Sequence, residues 1–196
     1  MALQRELQSF PKLETNSLLL RRIMPGDANA LFKILSDPEV TEFYDEDAFI
    51  DISQASDQIA AWENGFADNR CIRWGINRMD KDDLMGSCGY YGVHIWNKRA
   101  SIGYELARTS WRQGIMIEAL GAIIDFGFSR LELNRIDAVV MPENTASVNM
   151  LEKLGFRNEG LLREYERWSS KGFVDLCMFA MLRKEWGKSR SQVRIS

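Results

Sequence analysis

The sequence predicts one α/β domain of the α+β kind, with a mixed, mostly antiparallel central sheet flanked by helices. Three observations carry that prediction. Residues 72–107 read as strands joined by short polar turns, which is the pattern of an antiparallel meander. A long apolar helix opens at Gly114, directly behind that meander. The whole chain runs β-α-α-β-β-β-α-β-α-β-β, without a repeat or an internal linker. Its 196 residues suffice for one sizeable core.

Taken in order, residues 1–12 read as an arm ending near Pro11. Ser17–Ile23 is a compact strand, and Pro25-Gly26 turns the chain. Asp27 is a good N-cap for a helix with Ala28, Leu31, Phe32 and Leu35 at helical spacing, and Asp37-Pro38 stops it. A second helix covers Ile52–Phe66, with Ile59, Trp62 and Phe66 on one side. Strands follow at Ile72–Arg78, Leu84–Ile95 and Ala100–Ala107, turning at Asp80–Asp83 and Asn97–Arg99. Gly86, Gly89 and Gly92 in the middle strand predict a bend or the close approach of another element. The helix behind Gly114 is apolar or small apart from Glu118, Asp125, Ser129 and Arg130, so it must be packed around most of its circumference. Arg135–Met141 is a strand, and Ala146–Leu154 a short helix closed by Gly155. Strand texture returns from Phe156 through Glu166 and over Phe173–Leu182, around a turn at Ser169–Gly172. Residues 187–196 are polar, basic and expected to be a flexible tail.

Composition narrows the function classes. A net charge of −3 argues against a general nucleic-acid binder. No stretch approaches the roughly 18 apolar residues of a membrane span, and Met1–Phe10 is no signal peptide, so a cytoplasmic protein without a membrane partner is expected. Cys71, Cys88 and Cys177 are scattered and form no CxxC pair; they are expected to be reduced core thiols with no metal. Between Lys33 and Arg70 there is no basic residue, while ten acids occur: Asp37, Glu39, Glu42, Asp45, Glu46, Asp47, Asp51, Asp57, Glu63 and Asp68. Two readings stay open, a solvated helical face with its loops or an acidic wall that attracts a cationic substrate.

The chemistry is concentrated at Tyr104–Leu131. A helix that starts on a glycine turn after a strand presents unpaired N–H groups at the positive end of its dipole, where an anion such as a phosphate is at home. No G-K-[ST] exists, which excludes a Walker loop, and the spacing G-x-G-x-x-G is absent. The segment W-R-Q-G-I-M-I-E-A-L, Trp111–Leu120, resembles the acyl-CoA loop of the GNAT superfamily of N-acetyltransferases. I-G-Y-E-L-A at Ile102–Ala107 is similar to the strand before that loop. N-R-I-D-A-V-V-M-P-E-N-T-A-S-V-N-M-L-E-K-L-G-F-R-N-E-G, Asn134–Gly160, resembles the ribosomal-protein N-terminal (Rim-type) acetyltransferase branch. The resemblance covers residues 13–186, which bound the expected domain.

The resemblance implies acetyl-CoA as co-substrate, a primary amine as acceptor and direct attack of the amine on the thioester. It assigns the phosphates to the turn of Arg112, Gln113, Gly114, Ile115 and Met116, and the pantetheine arm to Asn144 and the backbone of Leu106 and Ala107. Ser147 would stand near the thiol and Glu166 would act as general base, with Glu164 the neighbour it is easily confused with. Trp111 stands where the family usually has Gln or Arg, and Met116 where it has a small residue. Ala100 stands where many members have a catalytic glutamate. His94, the single histidine, reads as structural. The acceptor is left between a protein N-terminus and a small cationic amine such as a polyamine or amino sugar. A non-catalytic acyl-CoA sensor is the reading from another class. A homodimer is the assembly that relatives imply.

Overall fold

A computed structural model describes residues 7–187 and 194–195. Its elements are β1 (Leu13–Glu14), β2 (Leu18–Arg22), α1 (Ala28–Leu35), α2 (Ile52–Ala67), β3 (Ile72–Arg78), β4 (Gly86–His94), β5 (Arg99–Leu106), α3 (Ile115–Ser129), β6 (Arg135–Val140), α4 (Thr145–Leu154), β7 (Arg157–Trp168), β8 (Gly172–Leu182) and β9 (Arg194–Ile195). One sheet runs in the order β7-β8-β6-β5-β4-β3-β2-β1-β9. Every pairing in it is antiparallel except β5 with β6.

Alternation along the strands sorts side chains onto two faces. Leu18, Leu20, Ile72, Trp74, Ile76, Cys88, Tyr90, Ala100 and Ile102 form the main core with α3. The opposite face packs Ile23 and Leu84 against Leu31, Ile34 and Leu35 of α1 and Ala55 and Ile59 of α2. Farther along, Trp168, Val174 and Leu176 make a small cluster with Val139. The buried stripe that covers nearly all of α3 agrees with its apolar sequence: eleven of its residues are buried.

The close approach expected in the middle strand occurs at Gly89, where a Cβ would fall 2.0 Å from the Ile72 carbonyl oxygen. The N-cap role expected of the Asp27 side chain is not realised. Asp27 occupies the capping position of α1, but its carboxylate takes both Arg21 nitrogens at 2.8 Å and the Met24 N–H at 2.7 Å. A partly buried guanidinium nearby takes those oxygens ahead of the helix N–H groups. Of the expected arm, residues 1–6 lie outside the described residues. The remainder is packed: Leu7 is buried, Phe10 meets Phe66 at 5.0 Å, and the Trp74 indole donates to the Pro11 carbonyl at 2.7 Å. The expected tail lies mostly outside the described residues as well, although Arg194–Ile195 pair with β1 rather than standing free.

Candidate active site

The site forms where two strands part. β5 and β6 run parallel and pair over only three positions, Arg99 with Arg135, Ala100 with Ile136 and Ser101 with Asp137. Beyond them β5 continues on β4 and β6 continues on β8, so a gap opens through the sheet at the carboxyl ends of the parallel pair. That is where α/β sheets usually take ligands. The Ser101 hydroxyl donates to Asp137 at the last closed pair, and Arg135 holds the other Asp137 oxygen at 3.1 Å. The cavity in the gap measures about 800 Å³.

The turn before α3 lines this cavity. Gly114 sits at φ +77°, and a Cβ there would meet nothing within 4 Å. The chain bends left-handed at Arg112 too, with φ +60°. The first hydrogen bond of α3 runs from the Glu118 N–H to the Gly114 carbonyl at 3.1 Å, so the N–H groups ahead of it stay outside the helical ladder. The Trp111 indole donates to the Leu106 carbonyl at 2.8 Å, which ties the loop to β5 and explains an aromatic at that position. The Gln113 amide donates to the Thr109 carbonyl at 3.0 Å and accepts from Arg78 at 2.8 Å. Arg78, at the end of β3, thus brings a cation to the loop that sequence reasoning did not find. Ile115 and Met116 are buried in the core, and both also line the cavity.

Below the helix start, Glu118 accepts from the Thr15 hydroxyl at 2.5 Å and from the Ser17 N–H and hydroxyl at 3.0 and 2.8 Å. Burial works to raise its pKa, but these donors, with Arg78, outweigh it and hold the carboxyl below its usual value. The first turn of α3 is therefore pinned to the β1–β2 hairpin.

For β5 the backbone decides which groups remain available. The Ala107 N–H donates to the Met85 carbonyl at 2.7 Å, and the Ala107 carbonyl accepts from Ser110 at 2.8 Å. The backbone role expected of Ala107 is therefore already taken by the protein itself. Alternation turns the N–H groups of Leu106 and Tyr104 the other way, toward the gap.

On the face that carries α3 and α4, Asn144 caps α4 by accepting from the Ser147 N–H at 3.1 Å. Its capping geometry, rather than its amide nitrogen, is thus committed. Both residues line the cavity beside Tyr104. The Tyr104 hydroxyl is buried and has no hydrogen-bond partner of ordinary geometry among the described residues. Burial pushes its pKa up to about 12, with the Ser147 side chain acting in the opposite sense. A buried orphan hydroxyl is costly, and a ligand atom in the gap would satisfy it.

The face that carries α1 and α2 is built around a second carboxylate. Glu105 accepts from the hydroxyls of Ser87 and Tyr44 and from the Arg73 guanidinium. Arg73 Nε donates to the Ser87 hydroxyl at 2.6 Å, and its guanidinium lies 5.0 Å from the Trp62 ring. The side chains of Arg73 and Glu105 are 9% and 1% exposed. Burial is the largest influence and disfavours the Arg73 charge, yet Glu105 together with Tyr44, Cys88 and Cys71 outweighs it and the guanidinium stays protonated. Burial first and Glu105 second keep Tyr44 protonated too.

Glu166 is half-buried on this cavity wall and accepts from the Trp168 indole at 3.1 Å. Tyr91 lines the same wall with its side chain partly open to solvent, and burial, then the Glu166 charge, raise its pKa. Simple alternation would put Glu164 on the same face as Glu166, two residues on, but it does not share that face. The β7–β8 register shifts between Leu162 and Glu166, Glu164 takes φ +48°, and its N–H goes to Asp175 at 2.7 Å. It is exposed and outside the cavity wall. His94 is also remote, its Nδ1 accepting from the Asn97 N–H at 3.2 Å in the β4–β5 turn. Ala100 is fully buried in the parallel seam.

The acidic interval divides. Asp51 caps α2, Asp37 caps the turn Pro38–Thr41, Glu63 pairs with Arg22 and Asp68 with Arg70. Asp45, Glu46 and Asp47 line the cavity. Burial, then the Asp45 charge, raise the pKa of Glu46. Across from them the Lys171 ammonium, at the tip of the β7–β8 hairpin, donates to the Tyr44 carbonyl at 3.2 Å and lies 5.1 Å from the Trp168 ring.

Comparison with known proteins bears on this geometry. The sequence is 40% identical over 174 residues to an uncharacterized N-acetyltransferase, p20, of Bacillus licheniformis, covering 89% of this chain and 97% of that one. It is 42% identical over 156 residues to the uncharacterized N-acetyltransferase YoaA of Bacillus subtilis, covering 80% and 88%. Among solved structures, Mycobacterium smegmatis RimJ in complex with CoA-disulfide superposes with a TM-score of 0.78 at 26% identity, over 91% of this chain and 88% of that chain. The acetyltransferase (GNAT) domain family matches residues 17–157, a stretch that contains the parted strands, the Gly114 turn and the Asn144–Ser147 cap, and the chain belongs to that family of N-acetyltransferases.

Proposed function

We propose that this enzyme moves an acetyl group from acetyl-CoA to a primary amine of a cationic acceptor, through the gap between β5 and β6. One observation carries the reading. The gap joins a phosphate-ready turn and an orphan hydroxyl on one face of the sheet to a carboxylate wall on the other. Donor and acceptor can then meet within the sheet from opposite faces.

The residues fit the donor. The N–H groups ahead of Glu118, with Arg112 and Arg78 nearby, suit a pyrophosphate. The gap-facing N–H groups of Leu106 and Tyr104 suit an amide-bearing arm that lies along β5 as an added strand. The donor supplies an activated thioester carbonyl. Asn144 and Ser147 border its thiol end. Tyr104 has a pKa of about 12, well above the ~8.5 of a thiol, so its hydroxyl stabilises the departing thiolate by a hydrogen bond and keeps its own proton.

Glu166 takes the proton that the attacking nitrogen loses as the C–N bond forms and the C–S bond breaks. Its half-burial on the wall leaves it accessible to an acceptor. An α-amine, of pKa about 7.7–8.0, asks less of that base than a lysine of about 10.4. A protein N-terminal amine is therefore the chemically easier acceptor. Asp45, Glu46 and Asp47, with Trp62 and Trp168, favour a cationic acceptor with an apolar body, which keeps a small polyamine or amino sugar as the second reading.

The test is thiol release from acetyl-CoA in the presence of N-terminal peptides, polyamines and aminoglycosides in turn. Transfer to one class and not the others identifies the acceptor. CoA binding without release on any acceptor would replace this reading with that of a sensor.

A further inference from the structure

We propose that the buried Arg73–Glu105 pair is a positioning device for acceptor selection: through the Tyr44 hydroxyl it holds the acidic segment Asp45–Asp47 over the gap. The inference rests on the function proposed above for the choice of acceptor, but the tether itself does not.

Tyr44 begins the segment that carries Asp45, Glu46 and Asp47, three of the acids that line the cavity. Its hydroxyl donates to Glu105 on β5, and its carbonyl accepts from Lys171 on the β7–β8 hairpin. Tyr44, at the start of the segment, therefore bridges the gap, tied to one half of the sheet by Glu105 and to the other by Lys171. Of these two ties the Glu105 one is buried and charge-assisted, with Ser87 and Arg73 filling the remaining acceptor sites. The Lys171 tie is exposed.

The same pair sets the charge seen by an acceptor. Arg73 stands on this wall among the carboxylates Glu39, Glu42, Asp45, Glu46, Asp47 and Glu166. Glu105 neutralises it. Without that carboxylate the guanidinium would repel the very amine that the acidic segment attracts. Arg73 and Glu105 thus act on the acceptor through Tyr44 and through charge balance, while Glu166 faces the acceptor directly.

Two variants test this, since Glu105→Ala alone strands a buried guanidinium and would unfold the site. Tyr44→Phe removes the tether and leaves the charges. Arg73→Met with Glu105→Gln removes both charges and the ion pair. In hydrogen exchange on the free enzyme, each variant should raise exchange in residues 42–48 by about tenfold and leave α3 unchanged. With the best amine acceptor, Tyr44→Phe should raise the acceptor KM by about five- to tenfold, with kcat and CoA affinity within about twofold. Lys171→Met should produce a smaller rise. Unchanged exchange in 42–48 in both variants would overturn the tether. Faster exchange with an unchanged acceptor KM would overturn the selection role. Absence of transfer by the unaltered enzyme, with exchange responding as expected, would instead count against the function reading alone.

Discussion

Glu166 and Glu164 are two residues apart on one strand, yet only Glu166 lines the gap. The bulge at Glu164 makes the difference, and a positive φ at a non-glycine residue leaves no trace in the sequence. Gly114 was legible because a glycine turn between a strand and an apolar helix has few other uses. The quartet around Glu105 was not: its members come from positions 44, 73, 87 and 105, and alternation along β5 says only that Glu105 points away from α3. The Tyr104 hydroxyl was equally hidden, since its lack of a partner is a property of the fold. At this scale the decisive variant is Glu166→Gln. Turnover should fall by about 10²-fold or more, the expected size of a general-base contribution, with CoA affinity unchanged. Unchanged turnover would move the base elsewhere.

Helix α3 shows why an element can be read more easily than its neighbours. Its polar stripe of Glu118, Asp125 and Ser129 stood out in the sequence, and two of the three have identifiable tasks. Glu118 holds the β1–β2 hairpin, and Asp125 accepts from the Trp186 indole at 3.1 Å. The sequence did not reveal that α3 admits a tyrosine from below. The Tyr90 hydroxyl donates to the Ile123 carbonyl inside the helix, and a Cβ at Gly127 would lie 2.3 Å from that hydroxyl. Gly127→Ala should therefore destabilise the protein by about 1–3 kcal/mol through overpacking. Tyr90→Phe in the same chain should recover part of the loss, measured by denaturant unfolding. The acidic interval 37–68 resisted reading for the opposite reason. Caps, ion pairs and cavity acids use the same residue types, and only the partners tell them apart.

For the whole molecule, the order of strands and helices was legible because each has a clear hydrophobic period and clear turn residues. The lateral order of the sheet, with β6 inserted between β5 and β8, depends on long-range pairing and was not. Global stability should carry the mark of Glu118. Its pKa is depressed in the folded protein from the ordinary 4.5, so its contribution is present above that value and is lost as pH falls through the folded value. Glu118→Gln should accordingly lower the melting temperature at neutral pH and narrow the gap to the unaltered protein below about pH 4. The three-pair seam between β5 and β6 has a consequence for the sheet as a mechanical object. Six strands lie on one side of it and three on the other, like two leaves sharing a short spine. A donor arm laid along β5 would lengthen that spine from within. CoA should then slow amide exchange in both leaves, including β6 and β8. Ser101→Ala, which cuts the hydrogen bond to Asp137, should lower the melting temperature of the free protein and enlarge the gain on adding CoA. The short parallel seam is then the place where the donor would become part of the architecture.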